Sequence, residues 1–303
     1  MDDQRSGLLC GVGAYVLWGV IPLFWPLLEP AEADEILAHR MVWSLLFLGG
    51  VLALTTGFAW IRLLDRRRAG LLALAAVLVT INWGTFIYAV NSGHVVETSL
   101  GYFINPLVTV ALAVFVLGER LRSRQKAAVA IAAVAVVVLT IDYGRPPWIA
   151  LTLAFSFGVY GLVKKHVGMH GTQSLAVETA FMFLPALAYV GWLQAQGTGT
   201  LTTEGTGHAA LLAAGGVATA VPLMLFGAAA IRISLTTVGL LQYLAPTLQF
   251  LIGVFHFGEA MPASRLAGFA LVWVALLIFT SDAVRTLRSN RAARAAAPVP
   301  AVG

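Results

Sequence analysis

Two membrane-length apolar segments, 140 residues apart in the numbering, carry the same punctuation. The first covers residues 100–119 (LGYFINPLVTVALAVFVLGE) and the second 240–259 (LLQYLAPTLQFLIGVFHFGE). In that register Pro106 falls on Pro246, Gly118 on Gly258 and Glu119 on Glu259. Shared Val, Phe and Leu mean little in apolar sequence, but a shared proline and a terminal Gly-Glu point to a duplicated membrane protein.

The composition fits that class: 59% of residues are hydrophobic and only 11% charged, which excludes an ordinary soluble domain. A hydrocarbon core about 30 Å thick needs about 20 apolar residues in a helix. Ten stretches meet that need, at about 7–28, 36–57, 69–90, 96–118, 126–142, 148–165, 174–194, 208–229, 235–257 and 263–283. Short connections leave no room for a soluble module. The first stretch is rich in Trp, Pro and Gly with no clear cleavage site, so a retained helix is expected there, not a signal peptide. The lone Cys10 lies inside it and offers neither a disulfide framework nor a cysteine metal site.

Orientation follows from Lys and Arg. With the N-terminus inside, every basic residue but Arg40, Arg145 and Arg265 falls in an inside segment or in the tail, among them Arg62, Arg66–Arg68, Arg120–Lys126, Lys164, Lys165 and Arg232. The connection after the first stretch carries only acids: Glu29, Glu32, Asp34 and Glu35. Both termini are therefore expected in the cytoplasm. The same pattern accounts for the net charge of +5, and no nucleic-acid partner is expected. Residues 285–303 read as a disordered basic tail.

The matched segments are the fourth and ninth of ten. Five spans is an odd offset, so the second copy sits upside down relative to the first. Ala14-Tyr15 facing Ala154-Phe155, and Leu37-Ala38 facing Leu175-Ala176, are weaker traces of the same duplication. The expected fold is an all-α membrane protein of ten transmembrane helices in two inverted five-helix repeats, residues 1–145 and 146–284. Inverted repeats are a frequent architecture of secondary transporters.

The segments EILAHRMVWS (35–44), NWGTFIYAVNSGHVVETSLGYFINPL (82–107), AFSFGVYGLVKK (154–165) and LLQYLAPTLQFLIGV (240–254) carry a resemblance. In combination they resemble the RarD-type branch of the EamA group, in the drug/metabolite transporter superfamily, from about residue 7 to 283. The resemblance implies ten helices in two inverted halves, a bacterial inner-membrane location and small-molecule transport. The branch carries a chloramphenicol-sensitivity label and a poorly defined cargo.

Polar groups within apolar spans cost free energy and need a reason. His39 and Arg40 near the start of the second span are candidates for an outer gate or a ligand-facing cation, against snorkelling of Arg40 toward Glu35. Glu97 opens the fourth span and is a candidate partner of Arg40 across an outer gate, against simple helix-end stabilisation. Glu178 is near the repeat equivalent of Arg40. Inversion places it toward the inside, facing Lys164, Lys165 or Arg232, as a possible protonatable coupling group.

A cargo site is expected from Tyr15, Trp18, Asn82, Trp83, Ser99, Tyr102, Asn105, Tyr160, Gln242, Tyr243 and Gln249. Aromatic walls with a few amides suit a partly apolar, neutral or zwitterionic molecule. The competing reading is interfacial aromatics and interhelical hydrogen bonds. Pro106 and Pro246 are hinge candidates, since each leaves a carbonyl without its donor. Gly7 and Gly11, one turn apart, suit close helix packing. No cofactor and no metal are expected. The chain lacks a Walker loop, His-Glu-x-x-His and Gly-x-Ser-x-Gly, which disfavours ATP-driven transport and the common membrane enzymes. A small-molecule cargo, with protons as a candidate coupling ion, and the bilayer are the expected partners. The rival functions are a membrane enzyme and a passive channel.

Overall fold

A computed structural model describes residues 3–117, 121–167, 169, 171–230, 232–233 and 235–296. The expectations for Gly118 and Glu119 lie outside these residues. Eleven α-helices are present among the described residues: α1 (Asp3–Val20), α2 (Ala33–Leu54), α3 (Arg66–Asn91), α4 (Val95–Leu117), α5 (Ser123–Tyr143), α6 (Trp148–Val167), α7 (Gly171–Gln196), α8 (Gly205–Ala230), α9 (Leu235–Leu241), α10 (Leu244–Leu251) and α11 (Ala263–Ala296). Eight helical segments are long and apolar enough to cross a membrane, and Trp148–Lys164 and Leu244–His256 are shorter apolar helices. Large apolar side chains such as Leu54, Ile141, Leu184, Phe255 and Leu277 are exposed, as a hydrocarbon solvent allows.

Proline chemistry shapes two of the expected spans. The first is α1 followed by two 3₁₀ turns, Ile21–Leu23 and Trp25–Leu28, each with its proline (Pro22, Pro26) at the start. The ninth is not one helix. It breaks at Gln242 and Tyr243, resumes as α10, and ends in a π-helical turn, Ile252–His256. The break puts Pro246 in the first turn of α10, where a missing N–H leaves nothing unsatisfied. Pro106, by contrast, stays inside the continuous helix α4. The two hinge candidates therefore occupy different backbone settings. The expected tail also differs, because α11 runs on to Ala296. Its last turns contain four alanines, and Ala is the best helix former.

The chain divides into two compact units, Met1–Asn105 with Trp148–Ala260, and Pro106–Pro147 with Met261–Gly303. The larger is assembled from antiparallel pairs. In α2 and α7, Tyr189 donates to Asp34 Oδ2 at 2.5 Å, Ala38, Met41 and Val42 pack with Ala186 and Val190, and Leu48 meets Leu175. Rising numbers on α2 thus face falling numbers on α7. In α1 and α8 the same sense holds: a Cβ on Gly7 would lie 2.5 Å from Cβ of Arg232, just past the end of α8, and one on Gly11 would lie 3.5 Å from Ala229 Cβ. In α3 and α6, Leu72 clusters with Val163 and Val167, and the rings of Tyr88 and Trp148 lie 5.9 Å apart.

Helix ends in this unit are held by carboxylates. Glu259 accepts from Val95 N (2.5 Å) and Val96 N (3.0 Å), and Glu97 accepts from Ile149 N at 3.1 Å. Each carboxylate neutralises unpaired N–H groups and the positive end of the helix dipole, at α4 and α6 respectively. Trp25, Leu28, Ile36, Phe86, Ile87, Leu153 and Leu212 form the main core around them.

The smaller unit pairs α5 with α11, also antiparallel. Asp142 at the end of α5 accepts from Ser264 and pairs with Arg265 at 2.8 Å, at the start of α11. At the other end, Asp282 of α11 pairs with Arg122 beside the start of α5 at 3.4 Å.

Gly216 shows how tightly α8 meets α2. A Cβ there would sit 2.5 Å from the Trp43 carbonyl carbon and 2.6 Å from Ser44 N, both backbone atoms that cannot step aside. Gly216→Val is expected to lower stability by about 3 kcal/mol or more. Gly227→Ala on the same helix, where a Cβ meets nothing within 4 Å, is expected to be neutral or stabilising. Thermal unfolding of the two detergent-purified variants checks the contrast.

Candidate functional site

The antiparallel register of α2 and α7 sets the depth of the two most costly polar groups. Arg40 is the eighth residue of α2 and Glu178 the eighth of α7. Because α2 residues 38–48 face α7 residues 190–175, Arg40 and Glu178 lie about 8 Å apart along the pair, on either side of its middle, at 1.5 Å per residue. Both are buried, at 5% and 1% exposure.

Arg40 does not snorkel. Its Nε donates to Thr219 Oγ1 at 2.6 Å, and Thr219 in turn donates to the Gly215 carbonyl at 2.9 Å. The guanidinium carbon lies 3.9 Å from the centroid of Trp83 and 5.2 Å from that of Trp25. The expected pair of Arg40 with Glu97 is not formed. Glu97 serves the N-terminus of α6 instead, and the cation rests on aromatic faces. His39, the other expected gating residue, has Nε2 3.8 Å from Glu35 Oε1. Glu35 also accepts from Thr200 N at 2.7 Å, and Thr200 Oγ1 lies 2.8 Å from His208 Nε2.

Glu178 meets one of the cations expected for it. Lys164 Nζ is 2.6 Å from Oε1, Ser174 Oγ donates to Oε1 at 2.7 Å, and Tyr160 donates to Oε2 at 3.0 Å. Lys164 also reaches Ser174 Oγ. A carboxylate with three donors is well solvated by protein, which makes this cluster a clasp between α6 and α7. Tyr160, expected with the cargo residues, belongs to that clasp.

The remaining cargo candidates fall into two groups. On α3, α4 and α6, Tyr102 donates to Asn82 Oδ1 (3.2 Å), Asn82 Nδ2 donates to Leu153 O and Ser156 Oγ (both 3.0 Å), and Asn105 Nδ2 donates to Ala154 O (2.9 Å). These amides stitch helices together, and Ser99 bonds back to Val96 O of its own helix. Tyr102 adds an aromatic wall with Phe86 and Phe157. On the other side, Tyr15, Trp18 and Phe226 form a ring cluster with centroids 5.4–6.1 Å apart. Gln249 Nε2 donates to Trp18 O at 3.0 Å, and Gln242 and Tyr243 form the break between α9 and α10.

An open cavity of about 500 Å³ is lined by Glu29, Glu32, Asp34, Leu37, Gly84 and Tyr88 among others. Leu37 is one turn before Arg40, and Gly84 follows Trp83. Thr219 and Trp25 were not legible as site residues. A threonine in an apolar helix carries no signal, and Trp25 reads as a membrane-interface aromatic. Among the described residues no three His, Cys, Asp or Glu side chains gather to hold a metal ion.

The EamA-like transporter family model matches residues 5–141. Protein RarD of Streptomyces exfoliatus is 60% identical over 300 residues, covering 98% of this chain and 95% of that protein. The chain belongs to the RarD branch of the EamA-like transporter family. Protein RarD of Salmonella typhi is 42% identical over 290 residues, covering 95% of this chain and 99% of that one. The fold is also seen in a crystal structure of a protein only 19% identical, with a TM-score of 0.57 over 93% of this chain and 99% of the other. The chain is thus a multi-pass membrane protein of the drug/metabolite transporter superfamily.

Removing one member of the Lys164–Glu178 pair strands the other. Lys164→Met is expected to cost about 3 kcal/mol, because Glu178 stays buried without its cation. Adding Glu178→Gln should restore most of that loss. Unfolding in detergent checks it, and a double variant weaker than the single would contradict the clasp.

Proposed function

We propose that this protein is a secondary transporter that moves a small metabolite or drug-like molecule across the bacterial inner membrane by alternating access. The observation that carries the reading is a repeated pairing register. The contact of Gly7 on α1 with Arg232 just past α8, shifted by 140 residues to positions 147 and 92, falls within about one helical turn of the α6–α3 contact of Trp148 with Tyr88. Pairs α2–α7 and α5–α11 would each map onto themselves, and the end locks at Asp142 and Asp282 stand 140 residues apart. The family match at residues 5–141 has nearly the bounds of the first proposed half. These features support ten spans in two inverted halves, 1–145 and 146–284, with α9 and α10 sharing one span, and the distribution of Lys and Arg supports both termini in the cytoplasm.

In this reading the α2–α7 pair is the pivot. Two halves related by a two-fold axis in the membrane plane expose one central site alternately to either side. The Lys164–Glu178 clasp closes the inner side and the Glu35–His39 group lies toward the outer side. Tyr15, Trp18, Trp83, Tyr102, Gln242, Tyr243 and Gln249 line the route, with Asn82, Ser99 and Asn105 bracing it. Pro106 and the Pro246 break supply bending points. Protons are the candidate coupling ion, with Glu178 taking the proton when Lys164 withdraws.

Flux through the purified protein in liposomes tests this. Saturable counterflow of a pooled set of radiolabelled metabolites and chloramphenicol is expected, accelerated by an imposed proton gradient. Glu178→Gln should abolish the gradient dependence while leaving counterflow above one-tenth of wild type. Flux that rises linearly with concentration, without counterflow, would contradict a carrier.

A further inference from the structure

We propose that Arg40 is the anchor for a carboxylate on the cargo, and that the cargo is a zwitterion. This rests on the carrier reading and adds the chemistry of what is carried. A guanidinium offers five N–H donors in a planar fork. Only Nε–H is committed, to Thr219 Oγ1, and among the described residues the Nη1 and Nη2 donors bond to no protein atom. Thr219 is itself fixed by its bond to Gly215 O, so the fork is held from behind in one orientation. Trp83 covers the guanidinium at 3.9 Å, with Trp25 at 5.2 Å. The free Nη1–Nη2 edge is the one that receives a carboxylate through two parallel hydrogen bonds.

A further observation points to an oxyanion. Arg40 is 5% exposed and has no carboxylate partner among the described residues, although a charge at this depth costs several kcal/mol on its own. A protein that needed only a structural cation there would gain by pairing it. A bound carboxylate supplies that charge and accepts from the Nη donors.

The ammonium half of the cargo follows from the cavity. Its lining includes Glu29, Glu32 and Asp34, and also Leu37, one turn before Arg40 on α2, and Gly84, next in the chain to Trp83. Three acids repel a bare anion and accept a molecule that also carries a positive group. Leu37 and Arg40 are three residues apart on α2, so about 5 Å of rise separates the acidic mouth from the guanidinium level.

Matched acids and amides test the site. The purified full-length protein in nanodiscs would be titrated with 4-(aminomethyl)benzoate, its primary amide and benzoate at fixed ionic strength. Tryptophan fluorescence and the unfolding midpoint report binding. The zwitterionic acid is expected to bind at least tenfold tighter than the amide and tighter than benzoate. Arg40→Gln should erase that preference, and Arg40→Lys and Thr219→Val should narrow it several-fold. If Arg40→Gln does not fold, the latter two variants carry the test. Equal affinity for acid and amide, no binding by any probe, or a preference that survives in the variants would overturn the proposal. So would displacement of the acid by phosphatidylglycerol at nanodisc concentrations, which would assign the fork to a lipid phosphate. Flux in liposomes separates the two levels. Binding at Arg40 without flux defeats the carrier and leaves the carboxylate site, whereas flux of the amide unaffected by Arg40→Lys does the reverse.

Discussion

Hydrocarbon offers no hydrogen bonds, so every polar group that enters the membrane must be answered from within the protein, and that requirement organises these helices. It explains why Glu259 and Glu97 are spent on the N–H groups that begin α4 and α6. It explains why Asn82, Asn105 and Gln249 each reach a backbone carbonyl or hydroxyl on a neighbouring helix. Close approach at Gly7 and Gly216 provides packing that apolar side chains alone cannot, since lipid competes equally for them. Against that background the two charges flanking the middle of the α2–α7 pair stand apart. Glu178 has three donors, while Arg40 has a hydroxyl and two aromatic faces.

That asymmetry bears on mechanism. The Lys164–Glu178 clasp involves two charges whose separation would leave both in a poor solvent, so it resists opening until something substitutes for a partner. A proton on Glu178 is one such substitute. Arg40 is the converse, a cation without a carboxylate partner among the described residues, which lowers the cost of bringing an anion to mid-depth. In the proposed carrier, one fixed and one available charge at related positions of the two halves would give it a reason to favour one closed side when empty and the other when loaded.

The all-α membrane class was legible because the hydrophobic requirement of a bilayer is written directly in run length, and Pro106/Pro246 with Gly118/Gly258 are the sequence signs on which the proposed duplication rests. Backbone detail was less legible. The spacing gave no sign that the ninth span would break at Gln242 and Tyr243, because Pro246 can be tolerated either by a kink or by a restart, and the restarted helix α10 packs on α1. The partner of Glu178 was among the cations that the expected inversion placed near it, and Lys164 is the one it meets. The partner of Arg40 was not. Glu97 was the electrostatically obvious choice, yet it is claimed by the α6 N-terminus, and Thr219, Trp25 and Trp83 converge on Arg40 only through tertiary packing. The helical continuation of α11 to Ala296 was missed because charge was weighed above the helix propensity of alanine.

The central claim, that opening one side of the α2–α7 pair closes the other, is tested most directly by side-specific thiol labelling in a Cys10→Ser background. Leu37→Cys reports the acidic cavity and Thr172→Cys the side of the clasp. Both would be read with an impermeant reagent, with the clasp intact and with it broken by Lys164→Met. The account predicts that breaking the clasp raises labelling at position 172 and lowers it at position 37. Rates that rise together, or a change at position 172 alone, would contradict alternating access about this pair.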